Sequence, residues 1–154
     1  MNTSNFNINS CKDNAKQFYN ASVLIAESSK DIEWLQDVIV SYTVNIILSC
    51  ELYLKALLFP HLSNISEQEY RTHKISELYN LLKKHDENIT DQIENIFYKS
   101  EFEDRTQNTL NLVLSLCDDS FIAFRYSFEN NKLKTVHLSG INTFVKALME
   151  VCDK

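Results

Sequence analysis

Residues 38–60 read VIVSYTVNIILSCELYLKALLFP, and this stretch decides the fold. Apolar side chains at Val38, Ile39, Tyr42, Ile46, Tyr53 and Leu57, with Leu35 upstream, predict one face of a long helix. Val40, Val44, Ile47, Leu54 and Leu58 spread much of the way around it, so the helix is expected to pack on more than one side. Its start is expected near Ser29 or Asp31. Its end is expected at Phe59, because Pro60 lacks a backbone donor and disfavours helical geometry in the residue before it. Asn45, Glu51 and Lys55 would be expensive in a bilayer, so the stretch reads as a core helix.

Working outward, a first helix is expected over Ser10 to Ser28, opened by Ser10-x-x-Asp13 and burying Phe18, Val23, Leu24 and Ile25. After Pro60 a loop runs to Thr72, with a short turn opened by Ser66-x-x-Glu69. Ile75, Leu78 and Leu82 mark a third helix capped by Thr72, and Ile93, Ile96 and Phe97 mark a fourth from Asp91 to Lys99. Ser100-x-x-Glu103 introduces a fifth, Phe102 to Phe128, whose buried stripe is Leu110, Leu114, Cys117, Phe121, Phe124 and Phe128. A last helix is expected over Ile141 to Val151. The expectation is all-α: two long helices packed with three or four shorter ones, forming a single domain over residues 1–154.

Composition narrows the function. The chain has 154 residues, 44% hydrophobic and 23% charged, with one Gly, one Pro and a formal net charge of -6. Phosphate-cradling loops and dinucleotide fingerprints need several glycines, and only Gly140 is present, which rules out Walker and Rossmann sites. The acidic balance argues against broad nonspecific binding to a phosphate backbone. Cys11, Cys50, Cys117 and Cys152 form no Cys-x-x-Cys pair and read as small buried hydrophobes. His61, His73, His85 and His137 lack the i,i+4 placement of a zinc helix, so neither metal nor cofactor is expected. Met1 to Asn14 has no apolar core of signal-peptide length, and a cytoplasmic location follows as the expectation.

Two polar strips carry the candidate chemistry. On the long helix, Ser41, Asn45 and Ser49 follow at i+4, either bonded to backbone carbonyls and a neighbouring helix or lining a polar cleft. Glu51 and Lys55, one turn apart, read as an ion pair rather than an acid and base. On the fifth helix, Asn111, Ser115, Asp118, Arg125 and Glu129 share a second stripe. Arg125 either pairs with Glu129 at i+4 or faces a groove and contacts phosphate. With His73 as base, Arg125 could stabilise the charge on phosphorus during metal-free attack by a ribose hydroxyl.

Cys50-Glu51-Leu52-Tyr53-Leu54-Lys55-Ala56-Leu57-Leu58, followed by Thr72-His73-Lys74-Ile75-Ser76-Glu77-Leu78-Tyr79, resembles the paired signature of HEPN-domain proteins. Ala123-Phe124-Arg125-Tyr126-Ser127-Phe128-Glu129 resembles the end of that family's second long helix, and the three matches in order cover roughly Ser41 to Glu129. The resemblance implies an up-and-down helical bundle that often dimerises, with many members acting in RNA cleavage, toxin–antitoxin pairs or phage defence. It also implies that His73 is mainly structural, bonding backbone groups where the third helix begins, although Thr72 stands where Gly is usual.

The family's nucleases carry a His four to six residues after the Arg. Asn130, Asn131 and Lys132 stand in the corresponding places. The expected function is therefore binding, to a second copy, a partner protein or a nucleotide or RNA phosphate, through Arg125, Glu129, Asp118, Asn45, Glu51 and Lys55. The alternative is an atypical metal-independent endoribonuclease with Arg125 and either His73 or His137. A third possibility is a structural subunit that self-associates through exposed aromatics such as Trp34 and Tyr42.

Overall fold

In the computed structural model, the helix read from residues 38–60 is α2 (Ile32–Leu58), and the other helices are arranged around it. The structure describes residues 7–28, 32–100, 109–125 and 137–154, with backbone alone at 32–37 and 119–125. These residues form α1 (Ile8–Ser28), α2, a 3-10 segment (Phe59–Asn64), α3 (Glu67–Tyr70), α4 (Ile75–His85), α5 (Glu87–Lys99), α6 (Thr109–Arg125) and α7 (Leu138–Cys152). No strand occurs among the described residues, and the chain is an all-α helical bundle.

α2 touches α1, α4, α6 and α7. From Ile46 to Leu58 nearly every side chain is buried, and Ile46, Ile47, Leu54 and Leu58 are fully so. Each such residue contributes about 2 kcal/mol on leaving water, well above the roughly 0.5 kcal/mol by which β-branched residues disfavour a helix. Burial therefore outweighs the weak helix preference of Ile46 and Ile47 in this stretch. Among the described residues, Val38–Asn64 is the one span long and apolar enough to cross a membrane, and 61% of its window is buried inside the bundle.

α1 runs antiparallel to α2, with Cys11 opposite Leu52 and Ala15 opposite Ser49. Its buried residues are Cys11, Ala15 and Ser22, small side chains that let the two backbones approach. Leu24, expected inside, is 66% exposed, and Phe18, Val23 and Ile25 are half-buried. The apolar run from Val23 to Ile25 hides the true face, which follows the small residues. The expected cap is also displaced: Asn7 Oδ1 accepts from the Ser10 amide at 3.1 Å, so Ser10 already lies inside the helix.

α3 opens as expected, with both halves of the Ser66/Glu69 capping box formed. α4 does not. Lys74 is its N-cap and Thr72 is not: Thr72 Oγ1 accepts from the Lys74 amide at 3.3 Å and donates to Glu77 at 2.6 Å. α5 starts earlier than expected because Asp86, directly after α4, accepts from the Ile89 amide and caps it.

α6 buries Leu110, Leu114 and Cys117 as expected, and Val113 with them. The expected ends at Phe102 and Phe128, with Glu103 and the side chains of Phe121 and Phe124, fall outside the described residues, while Ser100 closes α5 and donates to the Phe97 carbonyl at 2.6 Å. α6 packs against α2, so the two expected long helices do lie together.

α7 starts at Leu138, ahead of the expected Ile141. His137 Nδ1 accepts from the Gly140 amide at 3.2 Å. Gly140 is required by proximity: a Cβ there would stand 2.4 Å from Val113 Cγ2 on α6. Tyr42 is half-buried against the core, not exposed, and the side chain of Trp34 lies outside the described residues.

Candidate functional site

The site is built on the last turns of α2, where the helix is buried on nearly all sides. Glu51 falls at such a position, its side chain only 6% exposed. A carboxylate so placed needs donors close by. Lys55, one turn on and 13% exposed, supplies one at 2.7 Å to Oε1. His73 supplies the other, its Nδ1 standing 2.9 Å from the same oxygen. Oε2 is buried and has no hydrogen-bond partner.

His73 itself is 68% exposed, so the pair joins a surface imidazole to an interior carboxylate. Because an ionised carboxylate only accepts, this contact calls for a proton on Nδ1, and Nε2 faces away from Glu51. His73 thus bonds a side chain of α2 rather than backbone at the start of α4, which corrects the sequence expectation.

The turn carrying His73 is tied from a second direction. Asp118 of α6 accepts the Ser76 amide at Oδ1, 3.1 Å away, and the Ser76 hydroxyl at Oδ2. The free amides of a helix's first turn donate to any suitably placed oxygen, and here α4 takes its side-chain cap from a residue 42 positions distant. Lys74 and Glu77 pair at 2.7 Å in the same turn. That pairing holds the Glu77 carboxyl below its ordinary value, with Thr72 as second donor. Tyr70, at the end of α3, donates its hydroxyl to the Lys55 carbonyl at 3.2 Å and sets its ring 5.8 Å from Lys55 Nζ.

Of the residues expected to act, the structure brings Glu51, Lys55 and His73 together and anchors Asp118 beside them at the start of α4. The other polar strip does not join them. Asn45 Nδ2 donates to the Ser41 carbonyl at 2.7 Å, and Ser49 Oγ to the Ala15 carbonyl at 2.8 Å, so both side chains are bonded to backbone. Arg125 is the last residue of α6, seven positions and thus roughly 10 Å beyond Asp118 on the same helical stripe. Its side chain and all of Glu129 lie outside the described residues. His137 is engaged as the cap of α7.

Tyr70 and Ser76 were not foreseen. Ser76 sits within the quoted Thr72–Tyr79 segment, yet no local spacing links it to Asp118. Beside the turn runs a groove of about 760 Å³, lined by Ser66, Glu67, Arg71, Thr72 and Glu77 among others. Arg71 in its wall pairs with Glu67 at 2.5 Å.

The four thiols are free and buried. Burial pushes Cys152 up to about 12, with Lys12 opposing, and raises Cys50 and Cys117 well above the ordinary thiol value. They serve as packing atoms, not nucleophiles. No group of three or more potential metal-ligating side chains is assembled among the described residues. No known family, curated protein or solved structure matches this chain.

Proposed function

We propose that this chain is a HEPN-like helical domain that acts by binding, as a homodimer in the cytoplasm, to a partner protein or to a nucleotide or RNA phosphate. In this reading it lacks the family's usual ribonuclease activity. One observation carries it: the Glu51–Lys55–His73 cluster joins the two segments on which the resemblance rests, Cys50–Leu58 and Thr72–Tyr79. Side chains from both motifs meeting on one carboxylate oxygen support reading them as a unit. The cluster ties α2 to the turn ahead of α4, a bracing role that fits a binding scaffold. Asn130, Asn131 and Lys132 occupy the places of the nuclease histidine, which supports binding over cleavage.

A second reading, the metal-independent endoribonuclease, is favoured by the outward Nε2 of His73 behind its carboxylate. Purified protein incubated with RNA in EDTA separates the two. The binding reading expects no cleavage and a dimer by light scattering at micromolar concentration. Cleavage that disappears in Arg125→Ala would establish the nuclease instead, and an inert monomer would remove both dimer and nuclease.

A further inference from the structure

The four histidines differ in what their ring nitrogens do. His61 uses Nε2 against Asp86 Oδ2 at 3.3 Å and is 23% exposed. His85, half-buried, stacks on His61 with ring centroids 6.2 Å apart. His137 accepts the Gly140 amide on Nδ1 and is half-buried at the start of α7. His73 alone combines a 68% exposed ring with an Nδ1 pinned by a carboxylate that is itself 6% exposed. Such a carboxylate fixes the tautomer and stabilises positive charge on the ring when the far nitrogen attacks an electrophile. Lys55 pairs with the same carboxylate oxygen at 2.7 Å.

We propose that His73 is a phosphoryl-acceptor site, modified at Nε2 by donors of the phosphoramidate or acyl-phosphate class, with Glu51 as its positioning residue. The Nε2 lone pair attacks phosphorus and forms the N–P bond. The bond from phosphorus to the donor's nitrogen or carboxylate oxygen breaks, and that atom leaves with the electron pair. The ring keeps its Nδ1 proton, hydrogen-bonded to Glu51 Oε1, so no separate base is needed. A deep pocket is unnecessary because the accepting atom is on the surface, and a protein donor could reach it. Arg71 and Lys74 lie two positions before and one position after His73 in the chain, both exposed, and their pairings are with exposed Glu67 and Glu77.

The test is incubation of the full chain with potassium phosphoramidate, read by phosphorus NMR. The expected result is one dominant phosphohistidine signal, of the Nε2 isomer, lost on acidification and absent from His73→Asn. Glu51→Gln should slow its appearance severalfold, with circular dichroism confirming that both variants remain helical. A signal that persists in His73→Asn, an Nδ1 isomer, or labelling of all four histidines at the rate of the urea-unfolded chain would each overturn the proposal. The outcome is independent of whether the chain dimerises or binds RNA.

Discussion

α3 and α4 follow one another along the chain, yet their first turns are closed in opposite ways. α3 is capped from within its own sequence, Ser66 and Glu69 satisfying each other's backbone three residues apart. α4 has a lysine at its N-cap, and its orphan amide is met by Asp118 from α6, while the turn before it is held by Glu51 from α2. The first kind of start forms as soon as the local chain turns. The second exists only when three helices are in place, so its stability depends on tertiary assembly.

The contrast can be broken most forcefully at Glu51. Glu51→Ala leaves Lys55 nearly buried without its partner and frees the turn, with an expected loss of about 3 kcal/mol in urea unfolding. Adding Lys55→Met should recover part of that loss, because the stranded charge is then gone as well. A neutral single variant would mean that the cluster does not brace the turn.

Asp118→Ala tests the remote cap, with an expected loss of about 1–2 kcal/mol. Hydrogen exchange should quicken at the first amides of α4 while those of α3 keep their protection. Equal changes in the two helices would erase the distinction.

Gly140→Ala asks whether a long-range contact outweighs a local preference. Alanine favours a helix over glycine by about 1 kcal/mol, but here its Cβ meets the side chain of Val113, and forced overpacking costs about 2 kcal/mol. The expected net effect is a loss of about 1 kcal/mol, and a gain on substitution would show that Val113 yields freely.

The local start should give the smallest response. Ser66→Ala is expected to cost about 0.5 kcal/mol. Hydrogen bonds from Ser66 hold the Glu69 carboxyl below its ordinary value of 4.5. A carboxyl lowered on folding contributes stability above its unfolded value and loses it as pH falls through the folded one. The box should therefore weaken only below about pH 4.5, and Ser66→Ala should abolish that part of the acid dependence.

The same division separates what could be read in the sequence from what could not. Ser66-x-x-Glu69, the proline stop of α2 and the Glu51–Lys55 spacing are local patterns, and the structure contains all three. The stripe of α6 was legible at Leu110, Leu114 and Cys117 for the same reason. Asp118 to Ser76 was not, because nothing in a linear string marks a carboxylate as the cap of a helix 42 residues away. The face of α1 was misread because hydrophobicity pointed to Leu24, whereas close approach to α2 selected Ala15 and Ser22. His73 was expected to bond backbone, and only the fold reveals that a buried acid stands behind it.

Burial of α2 on several sides also has a consequence for synthesis on the ribosome. Its apolar span emerges early, but α6 and α7, which cover part of it, are translated long afterwards. In that interval α1 and then α4 are the helices available to shield it, and a nascent chain stalled before α7 would expose a surface that attracts chaperones and lipid.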